Sequence, residues 1–482
     1  MEVITFNLKV LKSCFISNPL KKIDFTFEQL FYCSEILIKE ELYSFKKNQR
    51  ILLISSDVYL IISFILACWN KNIIPAIISP NLNTEDYNSL FERITFDSII
   101  TDIENIHDTF GSTLIKFNPC ITKKAPGQIE FIFESDQTAI VLFSSGSSGS
   151  QKAIPLSFSN ILINVNSFKE TLALTEKASF LCTSPVWHAH GLYNSIITSF
   201  FLQKKVIYSG ILNLFNSTKL LQFSKKEPEL VYHLTPSMIP ILCSVASKMD
   251  QKKLPQFSRV ICGTSFLDDK AKTDFENKFD TELIQQYGMT EVLFISFNDK
   301  PKIKARSVGK PLGIVDLNIW DKQVLEPNQE GQIRIKSPSF YGCYFDELPI
   351  TKTPEDDFFF TGDIGYLDDE GYLFITGREK DIIKKGGLAV SPNKINKIIE
   401  SFEGVNKAYT LSQLDQNVGE EIFSFITASH NINISNLKDY LKTRLSINII
   451  PKEIFQIKRF PLNEIGKISK KDLNNILKSQ NV

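Results

Sequence analysis

This sequence of 482 residues has few of the patterns that mark disulfide-rich, nucleic-acid-binding or membrane proteins. Its eight cysteines are scattered without a C-x-x-C pair, which argues against a disulfide or zinc framework and favours a reducing compartment. Lysine plus arginine and aspartate plus glutamate number 54 each, so no net charge attracts nucleic acid. Any polyanion must therefore be bound by a local cluster of groups.

Signals for membrane insertion or export are also missing. The longest apolar run, VYLIISFILACW, has about a dozen residues, whereas a helix that crosses a bilayer needs about twenty. The first residues, MEVITFNLKVLKSC, lack the basic start, apolar core and small-residue cleavage site of a secretory signal. We therefore expect a cytoplasmic protein with no membrane span and no nucleic-acid partner.

Apolar patterns in the first third of the chain alternate between strand and helix. RILLISS, IIPAIIS, FDSIITD and IEFIFES have the short apolar runs of buried strands, and FTFEQLFYCSEILIKEEL and VYLIISFILACW have helical features. Strands that alternate with helices are typical of an α/β fold with largely parallel sheets. The sequence therefore predicts such a fold.

The pattern changes twice farther along the chain. From about Gly309 to Gly371, short strands such as DLNIWD and GQIRIKS are separated by Gly, Pro and Asp turns, which predicts a more antiparallel β section. After GREKDIIKKGG, compact α/β patterns return over about a hundred residues, enough for a small domain. We predict an N-terminal domain over residues 1–378 and a C-terminal domain over residues 379–482.

One loop, SSGSSGSQK, admits two interpretations. Gly/Ser runs are commonly flexible linkers. This run, however, directly follows the apolar strand AIVLF and ends in Lys152, so glycine N–H groups, hydroxyls and one cation could surround phosphate oxygens. It is not a Walker loop, because Gly149 lies three residues before Lys152 and Ala153 follows.

Five further motifs follow this loop along the chain. They are CTSPVWHAHGL, VICGTSFL, QQYGMTEV, the segment from TGDIGYL to GREKDIIKKGG, and PLNEIGKISKKDL. Together with the loop they resemble the signatures of the adenylate-forming superfamily, which includes acyl- and aryl-CoA synthetases, luciferases and amino-acid adenylation domains. The resemblance covers nearly the whole chain, and six motifs in the expected order argue strongly against a linker.

The loop itself is similar to the superfamily's phosphate-binding signature, [ST]-S-G-[ST]-[ST]-G-x-P-K-G. Gln151 replaces its proline and Ala153 replaces the glycine that follows its lysine, but every phosphate-facing group is kept. The resemblance implies that the loop holds the β- and γ-phosphates of ATP and then the leaving pyrophosphate. The matching residues are Ser144, Ser145, Gly146, Ser147, Ser148, Gly149 and Lys152.

The resemblance also implies a reaction. A carboxylate attacks the α-phosphorus of ATP to give acyl-AMP and pyrophosphate, and a thiol then displaces AMP. The expected cofactors are ATP, Mg²⁺ and coenzyme A, or the phosphopantetheine of a carrier protein. Because the first step brings two anions together, the site must supply cations and N–H donors.

Roles for the remaining nucleotide-site residues follow from the same resemblance. Glu291 would ligate Mg²⁺, a hard ion suited to carboxylate and phosphate oxygens. Thr290 would bond the α-phosphate, and Asp363 would accept both ribose hydroxyls with the help of Arg378. The residues expected beside adenine are Gly263, Thr264 and Tyr287, which stacks on the ring. Gly288 is also expected to belong to the nucleotide site.

Five residues of the predicted C-terminal domain have roles in the resemblance that depend on domain motion. Lys467, in EIGKI, is the expected catalytic cation that bridges the carboxylate and the α-phosphate. Lys380 lies at the expected hinge, about which the C-terminal domain swings to exchange Lys467 for a thiol tunnel. The tunnel residues are Lys384, Gly386 and Gly387.

His188 and His190 form an H-x-H pair that could be half of a metal site. The chain has only five histidines, and no Cys or carboxylate cluster in the nearby sequence completes a tetrahedral set. In the superfamily, the position of His188 gates the carboxylate pocket. Amino-acid adenylation domains usually carry Asp there to pair with the substrate ammonium, so a substrate that is not an amino acid is expected.

We therefore predict an ATP-dependent acid–thiol ligase, most simply an acid–CoA ligase. An enzyme that loads a separate acyl carrier protein stays open as an alternative. A non-catalytic nucleotide-binding protein of the same fold is the alternative from a different class. Intact Lys467, Glu291 and Asp363 favour an enzyme.

Overall fold

A computed structural model of the chain describes residues 3–8, 14–117, 129–145, 151–224, 227–250, 254–255, 257–340, 357–385, 388–415, 419–463 and 466–479. The chain divides into two compact units. The large unit comprises Met1–Asp316 and Lys336–Asp357, and the small unit comprises Leu317–Ile335 and Phe358–Val482. The small unit thus includes part of the predicted β section. The functional boundary at residues 378/379 concerns a hinge and stays a prediction.

Helices of the large unit begin at short polar caps and bury apolar faces. Asp57 accepts hydrogen bonds from the N–H groups of Tyr59 and Leu60, and Ser157 forms a reciprocal capping box with Asn160. The helices are α1 (Phe27–Glu40), α2 (Val58–Asn70), α3 (Thr84–Arg93), α4 (Glu104–Phe110), α5 (Phe158–Thr171), α6 (Ala189–Gly191), α7 (Thr198–Phe201), α8 (Leu214–Ser224), α9 (Met238–Ala246) and α10 (Asp269–Phe279). A π-helix, Leu192–Ile197, joins α6 to α7.

Strands of the large unit are mostly short and apolar, as expected for buried parallel sheets. They are β1 (Val3–Leu8), β2 (Cys14–Asn18), β3 (Ile23–Thr26), β4 (Arg50–Ile54), β5 (Ile74–Ile78), β6 (Ser98–Thr101), β7 (Thr113–Leu114), β8 (Ile129–Glu134), β9 (Thr138–Ser145), β10 (Gln151–Ser157), β11 (Ala178–Cys182), β12 (Lys205–Tyr208), β13 (Glu229–Leu234), β14 (Arg259–Cys262), β15 (Leu283–Met289), β16 (Leu293–Phe297) and β17 (Lys310–Pro311).

These strands form three sheets. A six-stranded sheet has the order β10-β9-β5-β4-β6-β7, a nine-stranded sheet has the order β17-β16-β15-β14-β13-β11-β12-β2-β3, and β1 pairs with β8. Neighbours β11, β13, β14 and β15 are parallel, so their carboxyl ends share one edge of the nine-stranded sheet. That edge is where open α/β sheets bind ligands.

The small unit consists of two five-stranded sheets and short helices. Its strands are β18 (Asp316–Asp321), β19 (Gln323–Val324), β20 (Gly331–Lys336), β21 (Phe359–Leu367), β22 (Leu373–Arg378), β23 (Ile383–Lys385), β24 (Leu388–Val390), β25 (Val405–Asp415), β26 (Gly419–Ala428) and β27 (Glu453–Gln456). Its α-helices are α11 (Pro392–Glu400), α12 (Ile434–Lys442) and α13 (Lys470–Ser479). The sheet orders are β19-β18-β20-β21-β22 and β24-β23-β26-β25, with β27 also paired to β26.

The architecture confirms the predicted α/β class, with largely parallel sheets in the large unit and a mainly antiparallel β section after it. The predicted strands and helices named above agree with the observed elements to within a few residues at their ends. Within the described ranges, the helices are too short or too polar to cross a membrane.

Candidate active site

Residues predicted to bind substrate follow three of four neighbouring parallel strands in the large unit. His188 follows β11, Gly263 and Thr264 follow β14, and Thr290 and Glu291 follow β15. Because these strands are parallel and adjacent, the segments after them share one edge of the sheet. The fold therefore brings together three motifs that are far apart in sequence.

The predicted phosphate loop connects two strands of a β-hairpin. In the antiparallel register of β9 and β10, Lys152 lies opposite Ser144 and Gln151 lies opposite Ser145. The Arg93 guanidinium anchors this end by donating from Nη2 to the Gln151 carbonyl oxygen at 2.6 Å. Gly146, Ser147, Ser148 and Gly149 lie outside the described residues, so their predicted contacts stay predictions.

Gly263 and Thr264 form a tight turn after β14. A Cβ atom on Gly263 would lie 3.2 Å from the Gln286 carbonyl oxygen, so a larger residue would crowd β15. Thr264 has a φ of 74°, a conformation that costs energy for a non-glycine residue. Its Oγ1 is buried and has no hydrogen-bond partner among the described residues. A hydroxyl in that state suits a polar ligand such as a nucleotide.

Thr290 and Glu291 occupy the short turn between β15 and β16. The turn is closed by a bond from the Val292 N–H to the Met289 carbonyl oxygen at 3.2 Å. A Cβ on Gly288 would overlap the backbone of Leu293, which explains why glycine stands there. Glu291 is buried, with 8% of its surface exposed.

Tyr287 lies on β15, just before this turn, and is also buried. Its stacking on adenine stays a prediction.

The H-x-H segment is held close to the sheet by a glycine. A Cβ on Gly191 would overlap the backbone oxygen of Pro185, so only glycine fits after His190. His190 Nδ1 lies 2.8 Å from Ser184 Oγ, which fixes the orientation of that ring. The π-helix begins directly after Gly191, and such irregular turns are frequent at functional sites.

A further histidine, His233, lies behind this segment. Its ring packs among three aromatic rings, with centroids 5.7 Å from Phe168, 6.4 Å from Phe180 and 5.8 Å from Phe294. Burial and then the charge of His190 hold the pKa of His233 well below its usual value. His233 is therefore a neutral aromatic neighbour of the H-x-H segment.

In the small unit, Asp363 and Arg378 form an ion pair across β21 and β22. They are opposite each other in the register, and Arg378 Nε lies 2.8 Å from Asp363 Oδ1. The Asp363 side chain is 5% exposed and that of Arg378 is 52% exposed. The carboxylate is thus oriented by its partner before any ligand binds.

Lys467 lies on a compact loop that Asn463 closes. Asn463 Oδ1 accepts a hydrogen bond from the Lys467 N–H at 2.8 Å, and the Asn463 N–H donates to the Lys467 carbonyl oxygen at 2.8 Å. Gly466 has a φ of 75°, which favours glycine. These contacts fix the backbone from which the lysine extends.

The pKa of Lys467 is lowered from 10.5 to about 8. Burial is the main cause, the positive charges of Arg378 and Lys380 lower the pKa further, and Asp363 opposes them. The predicted catalytic cation is therefore electrostatically linked to the predicted ribose and hinge residues within the small unit. The sequence motifs alone gave no sign of this linkage.

Lys380 is exposed and lies in a 3₁₀ turn, Glu379–Asp381, directly after β22. Lys384 is exposed on β23, and its backbone N–H donates to Glu420 Oε2 at 2.6 Å. Gly386 and Gly387 lie outside the described residues, so the thiol tunnel stays a prediction.

The residues present fit Mg²⁺ only as an ion shared with phosphates. Within the described ranges, no three His, Cys, Asp or Glu side chains cluster to hold a metal ion. Glu291 is a single carboxylate, and Mg²⁺ is commonly bound by one or two carboxylates together with substrate phosphates and water. The donor set of the large unit is therefore compatible with a magnesium–nucleotide complex.

Known proteins resemble this chain over almost its full length. A family model described as AMP-binding enzyme matches residues 41–345. The 2-succinylbenzoate–CoA ligase of Staphylococcus aureus strain Newman is 26% identical over 486 aligned residues, which cover 93% of this chain and 94% of that protein.

Two solved structures share the fold. One is the o-succinylbenzoate CoA synthetase MenE from Bacillus subtilis in complex with OSB-AMP, with a TM-score of 0.81, 21% identity and 95% coverage of each chain. The other is ATP-bound MatB from Rhodopseudomonas palustris, with a TM-score of 0.84, 18% identity, and coverage of 98% of this chain and 97% of that chain.

Proposed function

The chain belongs to the AMP-binding enzyme family, and from that premise we propose that it is an ATP-dependent acid–CoA ligase. The observation that carries the proposal is the shared sheet edge, where the segments of His188, Gly263 and Glu291 follow three of four neighbouring parallel strands. In the first half-reaction a carboxylate oxygen bonds to the α-phosphorus of ATP and the bond to pyrophosphate breaks. In the second, the sulfur of coenzyme A bonds to the acyl carbon and AMP leaves.

We assign to the large unit the binding of the triphosphate and its metal ion. Lys152 and the Ser144 hydroxyl contribute a cation and a hydrogen-bonding group from paired positions in the hairpin. Thr290 donates to the α-phosphate, and Glu291 ligates Mg²⁺. When bound, Mg²⁺ would supply positive charge that offsets the charge of the phosphates.

We assign to the small unit the binding of the ribose and the supply of a catalytic cation. Asp363, already oriented by Arg378, accepts hydrogen bonds from the ribose hydroxyls. The positively charged Lys467 side chain interacts with both the carboxylate and the α-phosphate during adenylation. A cation held about 4 Å from an anion contributes roughly 4 kcal/mol at an effective dielectric constant near 20.

For the second half-reaction, we assign Lys380 to the hinge and the segment of Lys384, Gly386 and Gly387 to the thiol tunnel. Coenzyme A is the preferred acceptor because a relative of 26% identity over almost the full chain is named as a CoA ligase. A carrier protein is the alternative acceptor. Supplying either acceptor to the preformed adenylate separates the two.

The proposed substrate is a carboxylic acid without an α-amino group. His188 stands at the predicted pocket entrance and provides no fixed negative charge for a substrate ammonium. The name of the 2-succinylbenzoate ligase makes 2-succinylbenzoate the first acid to test. Location in the cytoplasm stays a prediction.

The test is a screen of carboxylic acids with ATP and Mg²⁺, in which pyrophosphate release and hydroxamate formation are both measured. We expect at least one acid, and no free amino acid, to give both signals. ATP binding without either signal for any acid in a broad panel would instead favour the non-catalytic nucleotide-binding protein.

A further inference from the structure

A buried amide on α5 connects two parts of the candidate site. Asn164 is completely buried, although it lies in the interior of a helix where Asn is not favoured. Its side chain contacts the strand after Glu291 on one side and the π-helix after the H-x-H segment on the other. No sequence motif pointed to it.

On the first side, Asn164 binds both polar backbone groups of Phe294. Its Oδ1 accepts from the Phe294 N–H at 3.2 Å, and its Nδ2 donates to the Phe294 carbonyl oxygen at 3.0 Å. The next strand, β17, pairs only with Ser296 and Phe297. The amide thus takes the place of a strand neighbour at Phe294 and satisfies groups that would be costly to bury unpaired.

The same amide supports the turn itself. Nδ2 also lies 3.4 Å from the Val292 carbonyl oxygen, which accepts a second hydrogen bond from Ser339 Oγ at 3.0 Å. Leu293, between Val292 and Phe294, has a φ of 70°. Such a conformation in a large residue persists only where the surroundings hold it. The geometry of the Thr290–Glu291 turn therefore depends on these two side chains.

On the second side, Asn164 contacts the π-helix. The Tyr193 hydroxyl donates to Asn164 Oδ1 at 2.9 Å, and Tyr193 is itself buried. Tyr193 comes three residues after His190, and its ring packs on Phe294 with centroids 5.3 Å apart. One amide oxygen therefore accepts hydrogen bonds from both segments.

We propose that Asn164 is a positioning residue that holds the Thr290–Glu291 turn and the segment after His190 in register with each other. This inference rests on the proposed function, since it assigns magnesium–ATP to the first segment and the acid to the second. Loss of the Asn164 amide should loosen both segments. Loss of the Ser339 hydroxyl should loosen only the turn, and loss of the Tyr193 hydroxyl should loosen only the segment after His190. The distinction can be measured.

The experiment compares four variants: Asn164→Ala, Ser339→Ala, Tyr193→Phe and the control Asn298→Ala. Asn298 is also a completely buried asparagine, and its side-chain hydrogen bonds join only the backbone groups of Lys300, Lys304 and Ser307. Steady-state KM values for ATP and acid, and the Mg²⁺ concentration for half-maximal rate, are measured. The pyrophosphate burst gives the concentration of active enzyme, so that loss of folded protein does not affect the comparison.

We expect Asn164→Ala to raise the half-saturating Mg²⁺ concentration about tenfold and the KM for the acid about threefold, as loss of buried hydrogen bonds allows. Ser339→Ala should move only the Mg²⁺ and ATP parameters, and Tyr193→Phe only the KM for the acid. Asn298→Ala should lower thermal stability and leave all of these constants within twofold of the wild type.

The inference is overturned if Asn164→Ala lowers stability alone, or if Asn298→Ala moves the same constants. If Asn164→Ala fails to fold, Ser339→Ala and Tyr193→Phe test the inference instead. It is supported if the first variant changes only the Mg²⁺ and ATP parameters and the second changes only the KM for the acid. It is overturned if both variants change the same constants or neither changes any.

Failure of the proposed function gives a different result, since the wild type then releases no pyrophosphate with any acid. Calorimetric binding of ATP with and without Mg²⁺ then tests the turn. The inference is supported if Mg²⁺ increases the affinity for ATP and if Ser339→Ala and Asn164→Ala reduce that increase. It is overturned if the increase is the same in the variants as in the wild type.

Discussion

The two units position their own candidate site residues by different physical means. In the large unit, Glu291 and Thr264 follow parallel strands, and neutral contacts such as those of Asn164 hold the neighbouring backbone. In the small unit, Asp363, Arg378 and Lys467 form a group of charges on antiparallel strands and a loop. The comparison teaches that neutral hydrogen bonds hold the site backbone of the large unit, whereas neighbouring charges orient a carboxylate and shift a lysine pKa in the small unit.

The largest expected effect comes from removing the cation of the small unit. Lys467→Ala should lower the adenylation rate by about 10²- to 10³-fold, because the variant loses charge stabilisation that matters most in the transition state. Binding of ATP, measured by calorimetry, should change little. Lys467→Arg is the matched variant and should retain part of the rate. Wild-type adenylation by Lys467→Ala would refute the assigned role.

A smaller effect is expected from the carboxylate of the large unit. Glu291→Gln should lower the adenylation rate by about ten- to 100-fold at a fixed Mg²⁺ concentration and raise the Mg²⁺ requirement, because the ion loses an anionic ligand. The rate is measured as pyrophosphate release over a Mg²⁺ titration. Glu282→Gln, an exposed change on the residue just before β15, should leave that titration unchanged. Equal titrations for both variants would argue against a metal role for Glu291.

Weakening the ribose contact should have a smaller effect again. Asp363→Asn should raise the KM for ATP about tenfold, because hydrogen bonds to a charged acceptor are replaced by weaker ones. The variant should also discriminate less between ATP and 2′-deoxy-ATP than the wild type does. If the variant keeps the full preference for ATP, ribose is recognised elsewhere.

The smallest effect concerns pH. Lys467 must be protonated to act as a cation, and its pKa is about 8, so kcat/KM for adenylation should fall as pH rises through about 8. Lys380→Met removes a positive charge that lowers this pKa, so the fall should move upward by roughly half a pH unit. ATP–pyrophosphate exchange across a pH series measures the fall.

Lys458→Met is the control for the pH series, because Lys458 is exposed in the small unit and is not among the charges that shift Lys467. A downward or equal shift with Lys380→Met would contradict the electrostatic account.

The sequence predicted the fold well because apolar periodicity and polar caps are local signals. The α2 helix and strands β4 and β5 are examples, since each is a short apolar run ended by polar or turn residues. The division of the chain into two compact units could not be predicted in this way. It places Leu317–Ile335 with the C-terminal part, and such long-range packing leaves no periodic pattern in the sequence.

Motifs predicted the chemically reactive residues but not the groups that hold them. Asn164 lies on the same helix face as Ile161, Val165 and Phe168, which are buried. A polar residue on an apolar helix face is the one sequence signal that could have identified it. The lowered pKa of Lys467 depends mainly on burial and then on charges that are distant in sequence from its motif, so only coordinates bring it out.

The most direct test of the central claim separates the two half-reactions of Lys467→Ala. The variant is given either acid, ATP, Mg²⁺ and coenzyme A, or the preformed acyl-adenylate and coenzyme A, and thioester formation is measured. We predict a loss of about 10²- to 10³-fold in the first case and a rate near that of the wild type in the second. Equal losses in both cases would contradict the assignment of Lys467 to adenylation alone.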